Sequence, residues 1–315
     1  MTRRSILVYH PEPGEAQAYA RLIKQPKPPF AVAVCATPAE ARRHIGDAEI
    51  LYAWNFPREL LPRAARLRWA QSMGAGVERV MLPELPRRVR VTRVAGIFGP
   101  WMAEYVLGWC LWLTQRTELF RAQQGERRWR QADPLRLHAA TLCLVGLGDI
   151  GRTIARAARG FGMHVVGVSR SGRKVAEAER VYKTREIRNA IAGADFVALT
   201  IPQTDATRGL IGAAELAAMK PSAWLINIAR GPVVDEAALL DALRGKRLGG
   251  AVLDVFDEEP LPQGHPLWEL GNVVITPHIS GPSTPGEIAP IFNDNLRRYL
   301  AGRALRCEVD RKRGY

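Results

Sequence analysis

The chain has 315 residues, which is long for one domain and favours two. A hydrophobic content of 47% and a charged content of 24% are ordinary for a globular protein and exclude a disordered or fibrous chain. The formal net charge of +14 stands out, and most of the 45 basic residues are arginines. Such a charge can indicate nucleic acid, a membrane surface or an anionic ligand. Because no nucleic-acid motif or long basic tract accompanies it, we favour a compositional bias toward arginine.

Cysteine usage and hydropathy indicate a reducing compartment. The four cysteines lie far apart without a CxxC pair, so neither a disulfide framework, nor a cysteine zinc site, nor any other metal site is expected. The least polar stretches, such as residues 106–113, are shorter than the ~20 residues that cross a bilayer. The N-terminal residues lack the apolar core of a signal peptide. We therefore expect a cytoplasmic protein.

The first hundred residues alternate short apolar runs with helical spacing. The runs predicted as strands are residues 6–9, 30–34, 49–53 and 67–70, with helices at 15–23 and 38–44. Strands that alternate with helices predict a parallel sheet covered on both faces. This part of the chain is expected to form a small doubly wound domain.

Glycines and a proline at residues 96–100 interrupt the pattern, and a long helix is predicted from about Trp101 to about Phe120. A second α/β series follows. Its predicted strands are residues 142–145, 165–168, 196–199, 224–227, 251–253 and 273–275. A final helix is predicted from about Glu287 to Leu300.

The strongest motif lies after the first strand of the second series. Gly146, Gly148 and Gly151 fit G-x-G-x-x-G between an apolar strand and a helix predicted at residues 153–161. In such a turn the first glycine permits the tight bend, the second lets a pyrophosphate approach, and the third allows close helix packing. The alternative is a glycine-rich turn without a ligand.

The end of the next strand bears on the choice of coenzyme. NAD-specific proteins carry an acidic residue there, about 20 residues past the glycines. This chain has Ser169, followed by Arg170, Ser171 and Arg173. Because a hydroxyl and cations would bind a 2′-phosphate, we predict NADP(H) over NAD(H), although NAD(H) stays possible. The alternative is that the arginines are solvated loop charges.

Motifs across nearly the whole chain resemble those of the D-2-hydroxyacid dehydrogenase family. After the glycine turn come Leu-Thr-Ile-Pro-Gln-Thr at 199–204, Ile-Asn-Ile-Ala-Arg-Gly at 226–231, Asp-Val-Phe-Asp-Glu-Glu-Pro at 254–260 and Thr-Pro-His at 276–278. The helix sequence at 102–107 and the Ser-Arg-Ser run at 169–171 are most similar to the glyoxylate/hydroxypyruvate reductase A type.

The resemblance implies an α/β fold of two doubly wound parallel-sheet domains. A Rossmann coenzyme domain at residues 99–281 would be inserted in a flavodoxin-like substrate domain formed by residues 1–98 and 282–315. The active site is expected in the cleft between domains. A homodimer is expected through the helix that begins near Trp101, where Trp109, Trp112 and Leu113 suit either an interface or an internal core.

The resemblance also supplies three catalytic candidates. His278 matches the proton donor, and its imidazole, with an ordinary pKa of about 6.5, exchanges a proton near neutral pH. Glu259 matches its carboxylate partner, which would fix the tautomer. Arg230 matches the cation that binds the substrate carboxylate and keto oxygen. The alternatives are a capping or core histidine, one charge of a solvated acidic loop, and one arginine among many.

Candidate substrate contacts lie in the first domain. Residues 71–78 match the family's carboxylate-binding loop, in which Ala75 and Gly76 are the predicted backbone contacts; a turn without a ligand is the alternative. Trp54 and Phe56 follow a strand and could wall the pocket, although core packing explains them equally well. Trp101 and Trp268 are weaker candidates.

Further coenzyme contacts are carried over from the matched motifs, and Asp254 could equally be structural. They are Leu147, Asp149, Ile150, Thr200, Pro202, Ile228, Ala229 and Asp254, together with Arg230 and His278.

The sequence therefore predicts an oxidoreductase that uses NADPH to reduce small 2-keto acids, glyoxylate or hydroxypyruvate, to D-2-hydroxy acids. A phosphoglycerate-type dehydrogenase is disfavoured because the chain ends soon after its last predicted helix. A coenzyme-sensing regulator on the same fold stays an alternative, and nucleic-acid binding is not supported by any motif.

Overall fold

The computed structural model describes residues 4–78 and 80–314. Contacts divide the chain into unit 1, which contains the residues up to 97 and those from 283 onward, and unit 2, which contains residues 98–282. Among the described residues, no helix is both long and apolar enough to cross a membrane.

Strands and helices alternate in both units. The strands are β1 Ser5–Tyr9, β2 Ala31–Cys35, β3 Ile50–Ala53, β4 Trp69–Ser72, β5 Arg90–Thr92, β6 Thr141–Val145, β7 His164–Ser169, β8 Arg180–Lys183, β9 Phe196–Leu199, β10 Trp224–Asn227, β11 Gly250–Leu253 and β12 Val273–Ile275. The α-helices are α1 Glu15–Arg21, α2 Pro38–His44, α3 Phe98–Thr114, α4 Thr117–Gly125, α5 Asp149–Gly160, α6 Ile187–Ile191, α7 Ala213–Ala218, α8 Glu236–Arg244 and α9 Pro285–Leu300.

The sheet of unit 1 is parallel, with the order β2-β1-β3-β4-β5 over its described strands. This is the flavodoxin-like order. Helix α9 completes the core, because Phe292 stacks on Tyr52 at 4.1 Å and on Trp69 at 5.2 Å between ring centroids. Asn295 donates to the side chain of Gln71 at 3.2 Å, so a late segment of the chain satisfies a buried polar group of β4.

The sheet of unit 2 has the order β12-β11-β10-β9-β6-β7-β8 over its described strands, which are again parallel. The order reverses between β6 and β9, which is the switch point of a Rossmann fold. Parallel pairing places the carboxyl ends of β6, β7, β9, β10 and β11 along one edge. The α/β fold with two parallel sheets is confirmed.

The long helix predicted from Trp101 to Phe120 is wrong at both ends. It begins at Phe98, because Pro100 falls in the first turn, where its missing N–H needs no partner. It ends at Thr114, whose carbonyl oxygen accepts the N–H of Leu135 at 2.8 Å instead of one from the next turn. Arg116 then adopts a φ of 50°, and α4 starts as a separate helix.

The strand predicted at residues 67–70 lies two residues later, at Trp69–Ser72. The polar half of this strand was missed because the buried side chain of Gln71 depends on hydrogen-bond partners that are distant in the sequence. The side-chain oxygen of Gln71 accepts a hydrogen bond from the Thr92 hydroxyl at 2.7 Å. The short edge strands β5 and β8 were not predicted either, since charged residues interrupt their apolar pattern.

Candidate active site

His278 and Glu259 form a hydrogen-bonded pair in unit 2. The Nδ1 of His278 lies 2.9 Å from Oε2 of Glu259, and the two side chains are 46% and 25% exposed. The backbone N–H of Phe256 donates to the other carboxylate oxygen at 3.0 Å. Since an ionised carboxylate only accepts, Nδ1 of His278 carries the proton of this bond and Nε2 is turned to the other side of the ring.

The carboxyl group of Glu259 is held in its charged form. Burial alone would raise its pKa, but the hydrogen bonds from His278 and Phe256 outweigh burial, with a further contribution from the charge of Arg230. The net pKa of Glu259 therefore lies below its ordinary value. A charged carboxylate at this distance stabilises an imidazolium.

Arg230 follows β10 and is brought close to the Glu259 segment by its neighbour Gly231. A Cβ at Gly231 would collide with the backbone of Phe256, so only glycine allows the two segments to approach. Asn227 shapes the turn: its side chain accepts the N–H of Ala229 and donates to the carbonyl of Arg230, both at 3.0 Å. Nη1 of Arg230 donates to the carbonyl oxygen of Ala229 at 2.6 Å.

The segment that carries His278 is fixed by Asp254. His278 adopts a φ of 54°, an uncommon conformation for a non-glycine residue. Asp254 is completely buried, and its two oxygens accept the N–H groups of Ile279 at 2.8 Å and Ser280 at 2.9 Å. The hydroxyl of Thr276 donates to the same carboxylate at 2.6 Å. These contacts favour the structural reading of Asp254, while its predicted contact with the coenzyme stays a prediction.

Sequence reasoning missed two residues of this network. The hydroxyl of Thr276 also lies 2.6 Å from the hydroxyl of Tyr105 in α3, so a residue 171 positions earlier in the chain contacts the histidine segment. Thr276 stands in the Thr-Pro-His motif and could have been noticed there. Tyr105 stands in the helix sequence 102–107 that carries the resemblance, but no local pattern shows where its hydroxyl points around the helix.

The predicted strand–turn–helix context of the glycine motif is confirmed, with β6 before the turn and α5 after it. Gly146 has a φ of 113°, and a Cβ there would lie 2.8 Å from the side chains of Thr200 and Ile201. At Gly151 a Cβ would collide with the carbonyl oxygen of Gly146. The fold itself therefore requires both glycines.

Gly148 differs from the other two glycines. It has an ordinary φ of −76°, and a Cβ there would meet no atom within 4 Å. Gly148 is also the N-cap of α5, and it provides no side-chain cap for the first N–H groups of that helix. An open glycine at an uncapped helix N-terminus is what the approach of a pyrophosphate needs, so the turn fits a dinucleotide.

The other coenzyme candidates lie around this turn or at the same sheet edge. The hydroxyl of Thr200 donates to the carbonyl of Gly146 at 2.7 Å and supports the turn, and Leu147 covers β7 at Gly167. Asp149 and Ile150 open α5. Pro202 follows β9, and Ile228 and Ala229 follow β10.

Ser169 ends β7 and shapes the turn that carries the predicted 2′-phosphate ligands. Its hydroxyl accepts the N–H of Gly172 at 3.1 Å, and that of Ser171 accepts the N–H of Arg173 at 3.2 Å. The side chains of Arg170 and Arg173 are exposed, and within residues 4–78 and 80–314 neither is paired with a carboxylate. Both guanidinium groups are therefore available to an anion.

In unit 1 the predicted carboxylate-binding loop follows β4. The hydroxyl of Ser72, which the sequence analysis missed, donates to the carbonyl of Gly76 at 3.0 Å and accepts the N–H of Gly74 at 3.2 Å. In the described part of the chain, the N–H groups of Ala75 and Gly76 donate to no acceptor. This loop can offer them to an anion.

The aromatic candidates separate into different environments. Phe56 is buried and packs edge-on against Tyr9 at 5.3 Å, so core packing explains it. Trp54 is 38% exposed and lies against Gly74. Trp101 is exposed, and the exposed Trp268 donates from Nε1 to the carbonyl of Pro262 at 2.9 Å.

Comparison with known proteins identifies the class to which this fold and site belong. Residues 107–280, more than half of the chain, match the family described as D-isomer specific 2-hydroxyacid dehydrogenase, NAD binding domain. The chain belongs to the D-isomer specific 2-hydroxyacid dehydrogenase family. It is accordingly an NAD(P)-dependent oxidoreductase of that family.

Particular relatives narrow the comparison. The chain is 32% identical to a glyoxylate/hydroxypyruvate reductase A of Photorhabdus laumondii over 276 residues, which cover 85% of this chain and 88% of that protein. A D-isomer specific 2-hydroxyacid dehydrogenase family protein of Aeromonas salmonicida is 38% identical, with 99% and 100% covered and a TM-score of 0.89. An NADPH-dependent glyoxylate/hydroxypyruvate reductase of Sinorhizobium meliloti, solved with NADP and sulfate, is 28% identical, with 100% of both chains covered and a TM-score of 0.90.

Proposed function

We propose that this protein reduces small 2-keto acids, glyoxylate or hydroxypyruvate, to D-2-hydroxy acids with NADPH. The observation that carries the proposal is the His278–Glu259 hydrogen bond in the same unit as Arg230 and an open glycine turn. The names of the relatives from Photorhabdus and Sinorhizobium support this substrate class.

The reaction needs a hydride, a proton and a cation. NADPH, when bound, supplies the hydride to the keto carbon. The imidazolium of His278 donates its Nε2 proton to the keto oxygen, while Glu259 keeps the Nδ1 proton in place. Arg230 binds the substrate carboxylate and polarises the keto group, and we propose that the N–H groups of Ala75 and Gly76 also bind this carboxylate.

The preference for NADPH is proposed from the turn after β7. Ser169 offers no carboxylate that would repel a 2′-phosphate, and the exposed guanidinium groups of Arg170 and Arg173 can bind it. Each hydrogen bond to a charged group contributes about 1.5–3 kcal/mol, less where both partners are solvated. The double variant Arg170→Ala/Arg173→Ala should therefore raise KM for NADPH about tenfold or more and leave KM for NADH nearly unchanged.

One steady-state experiment tests the proposal. Oxidation of NADPH and of NADH is followed with glyoxylate, hydroxypyruvate and 3-phosphohydroxypyruvate, with Arg42→Ala on α2 as the control variant. If the protein binds NADPH tightly but reduces none of these acids, the result favours a coenzyme-sensing regulator over an enzyme. A lower KM for NADH than for NADPH would refute the coenzyme preference.

We also propose a homodimer formed through α3. Trp109 and Leu113 of this helix are partly buried and pack against the core of unit 2, and Trp112 contacts Trp109 at 5.5 Å between ring centroids. Part of each side chain stays accessible, as a second copy would require. Sedimentation velocity at micromolar concentration should give the mass of two chains, and the mass of a single chain would refute the dimer.

A further inference from the structure

His10 lies directly after β1, and its imidazole stands between two aromatic rings. The residue is 8% exposed, and its ring is stacked with Tyr19 at 6.1 Å and with Trp54 at 6.4 Å between centroids. The interplanar angles are 21° and 17°. The N–H of Glu12 donates to Nδ1 of His10 at 3.2 Å, which fixes the rotation of the imidazole.

Trp54 links this ring stack to the loop after β4. Its backbone N–H donates to the carbonyl of Tyr9 at 3.0 Å, which places the residue beside His10 at the carboxyl ends of β1 and β3. The far edge of the indole lies on Gly74: a Cβ there would collide with the indole and would lie 3.2 Å from its Cη2 atom. The indole is thus held between an imidazole and the loop that contains Ala75 and Gly76.

We infer that His10 is a positioning residue, which holds Trp54 against the 74–76 loop and so limits the size of the side chain that a 2-keto acid can carry. The inference rests on the proposed function, because it takes this loop as the carboxylate site. His10 itself touches no substrate in this arrangement. It acts by keeping a half-exposed indole in one rotamer beside the loop.

The test compares substrates of different size. The measured quantity is the ratio of kcat/KM for glyoxylate to kcat/KM for 2-ketobutyrate. His10→Leu keeps an apolar side chain of similar volume and removes the stacking plane, so the ratio should fall about three- to tenfold. His10→Phe restores a flat ring and should return the ratio toward that of the wild type, and His44→Ala, an exposed histidine of α2, is the control.

The double variant shows whether His10 acts through the indole. In a Trp54→Ala background, His10→Leu should change the ratio no further, because the wall that it positions is gone. Gly74→Ala displaces the indole from the other side and should lower the ratio in the same direction. An unchanged ratio in active His10→Leu protein, or an equal fall in both backgrounds, would overturn the inference.

A second readout does not depend on turnover. The emission of Trp54 is obtained as the difference between each protein and its Trp54→Phe variant, and its quenching by acrylamide is measured. Quenching should increase in His10→Leu and return to the wild-type level in His10→Phe. If quenching does not increase in His10→Leu, the inference is overturned. If the wild type reduces no keto acid, the proposed function fails, and the quenching still decides whether His10 holds the indole.

Discussion

Replacing Glu259 by glutamine tests the proposed proton donor most directly. The carboxylate accepts on both oxygens, from the N–H of Phe256 at 3.0 Å and from Nδ1 of His278 at 2.9 Å. An amide has one acceptor oxygen. If that oxygen keeps the Phe256 bond, the amide NH₂ group faces Nδ1 and opposes the doubly protonated imidazolium.

The size of the effect follows from the bond that is lost. A hydrogen bond to a charged group contributes about 1.5–3 kcal/mol, and partial exposure of this pair reduces that to about 1–2 kcal/mol. The expected loss in kcat/KM is therefore about 5- to 30-fold. The part of the fall of kcat/KM at acid pH that comes from protonation of Glu259, whose pKa lies below its ordinary value, should also be absent, because glutamine does not titrate.

The assay is the pH profile of kcat/KM for glyoxylate, from the decrease in NADPH absorbance. Glu258→Gln is the matched control, since it removes the same charge from the adjacent exposed position. Coenzyme binding, measured by protein fluorescence, should be the same in both variants. If Glu259→Gln has the kcat/KM and pH profile of Glu258→Gln, the pair does not deliver the proton and the mechanism is refuted.

Three other outcomes are expected. Gly148→Ala should weaken NADPH binding at least tenfold without lowering Tm. Gly146→Ala, at a φ of 113°, should lower Tm by several degrees through about 1–3 kcal/mol of strain. If Gly148→Ala lowers Tm and leaves NADPH binding unchanged, Gly148 is not part of the phosphate site. Thr276→Val should lower kcat more than it raises KM, because the hydroxyl fixes the histidine segment, and an unchanged kcat would contradict this. Burial raises the pKa of Glu49, but the hydrogen bonds from Arg4 and Tyr299, together with the charges of Arg4 and Arg68, outweigh burial and hold that pKa below its ordinary value. The stability from this pair is present above about pH 4 and is lost as pH falls through the lowered pKa, so the Tm of Glu49→Gln should depend less on acid pH than that of the wild type.

Features coded by neighbouring residues were predictable from the sequence. The glycine turn depends on a strand, three glycines and a helix within about twenty residues, and the parallel α/β fold follows from alternating apolar runs. Family membership is confirmed as well. The roles of Arg230, Glu259 and His278 stay predictions, although Glu259 and His278 are hydrogen-bonded as the resemblance implied.

Features coded by distant partners were not predictable. The break between α3 and α4 depends on the N–H of Leu135, and the polar end of β4 depends on Asn295, more than two hundred residues later. The part that Asp254 plays was left open, because only the folded chain shows its oxygens occupied by Ile279 and Ser280. In each case the deciding contact is a polar group whose partner no local pattern specifies.

Because α9 belongs to unit 1 although it follows unit 2 in the chain, unit 1 cannot complete its core before unit 2 has been synthesised. The rings of Tyr52 and Trp69 receive their partner Phe292 only after all of unit 2 has been translated. At ~5–20 residues per second this interval is roughly ten to forty seconds, long enough for unit 2 to fold first. During this interval the Tyr52 and Trp69 rings of the incomplete unit 1 lack their partner, and a chaperone can bind this aromatic surface.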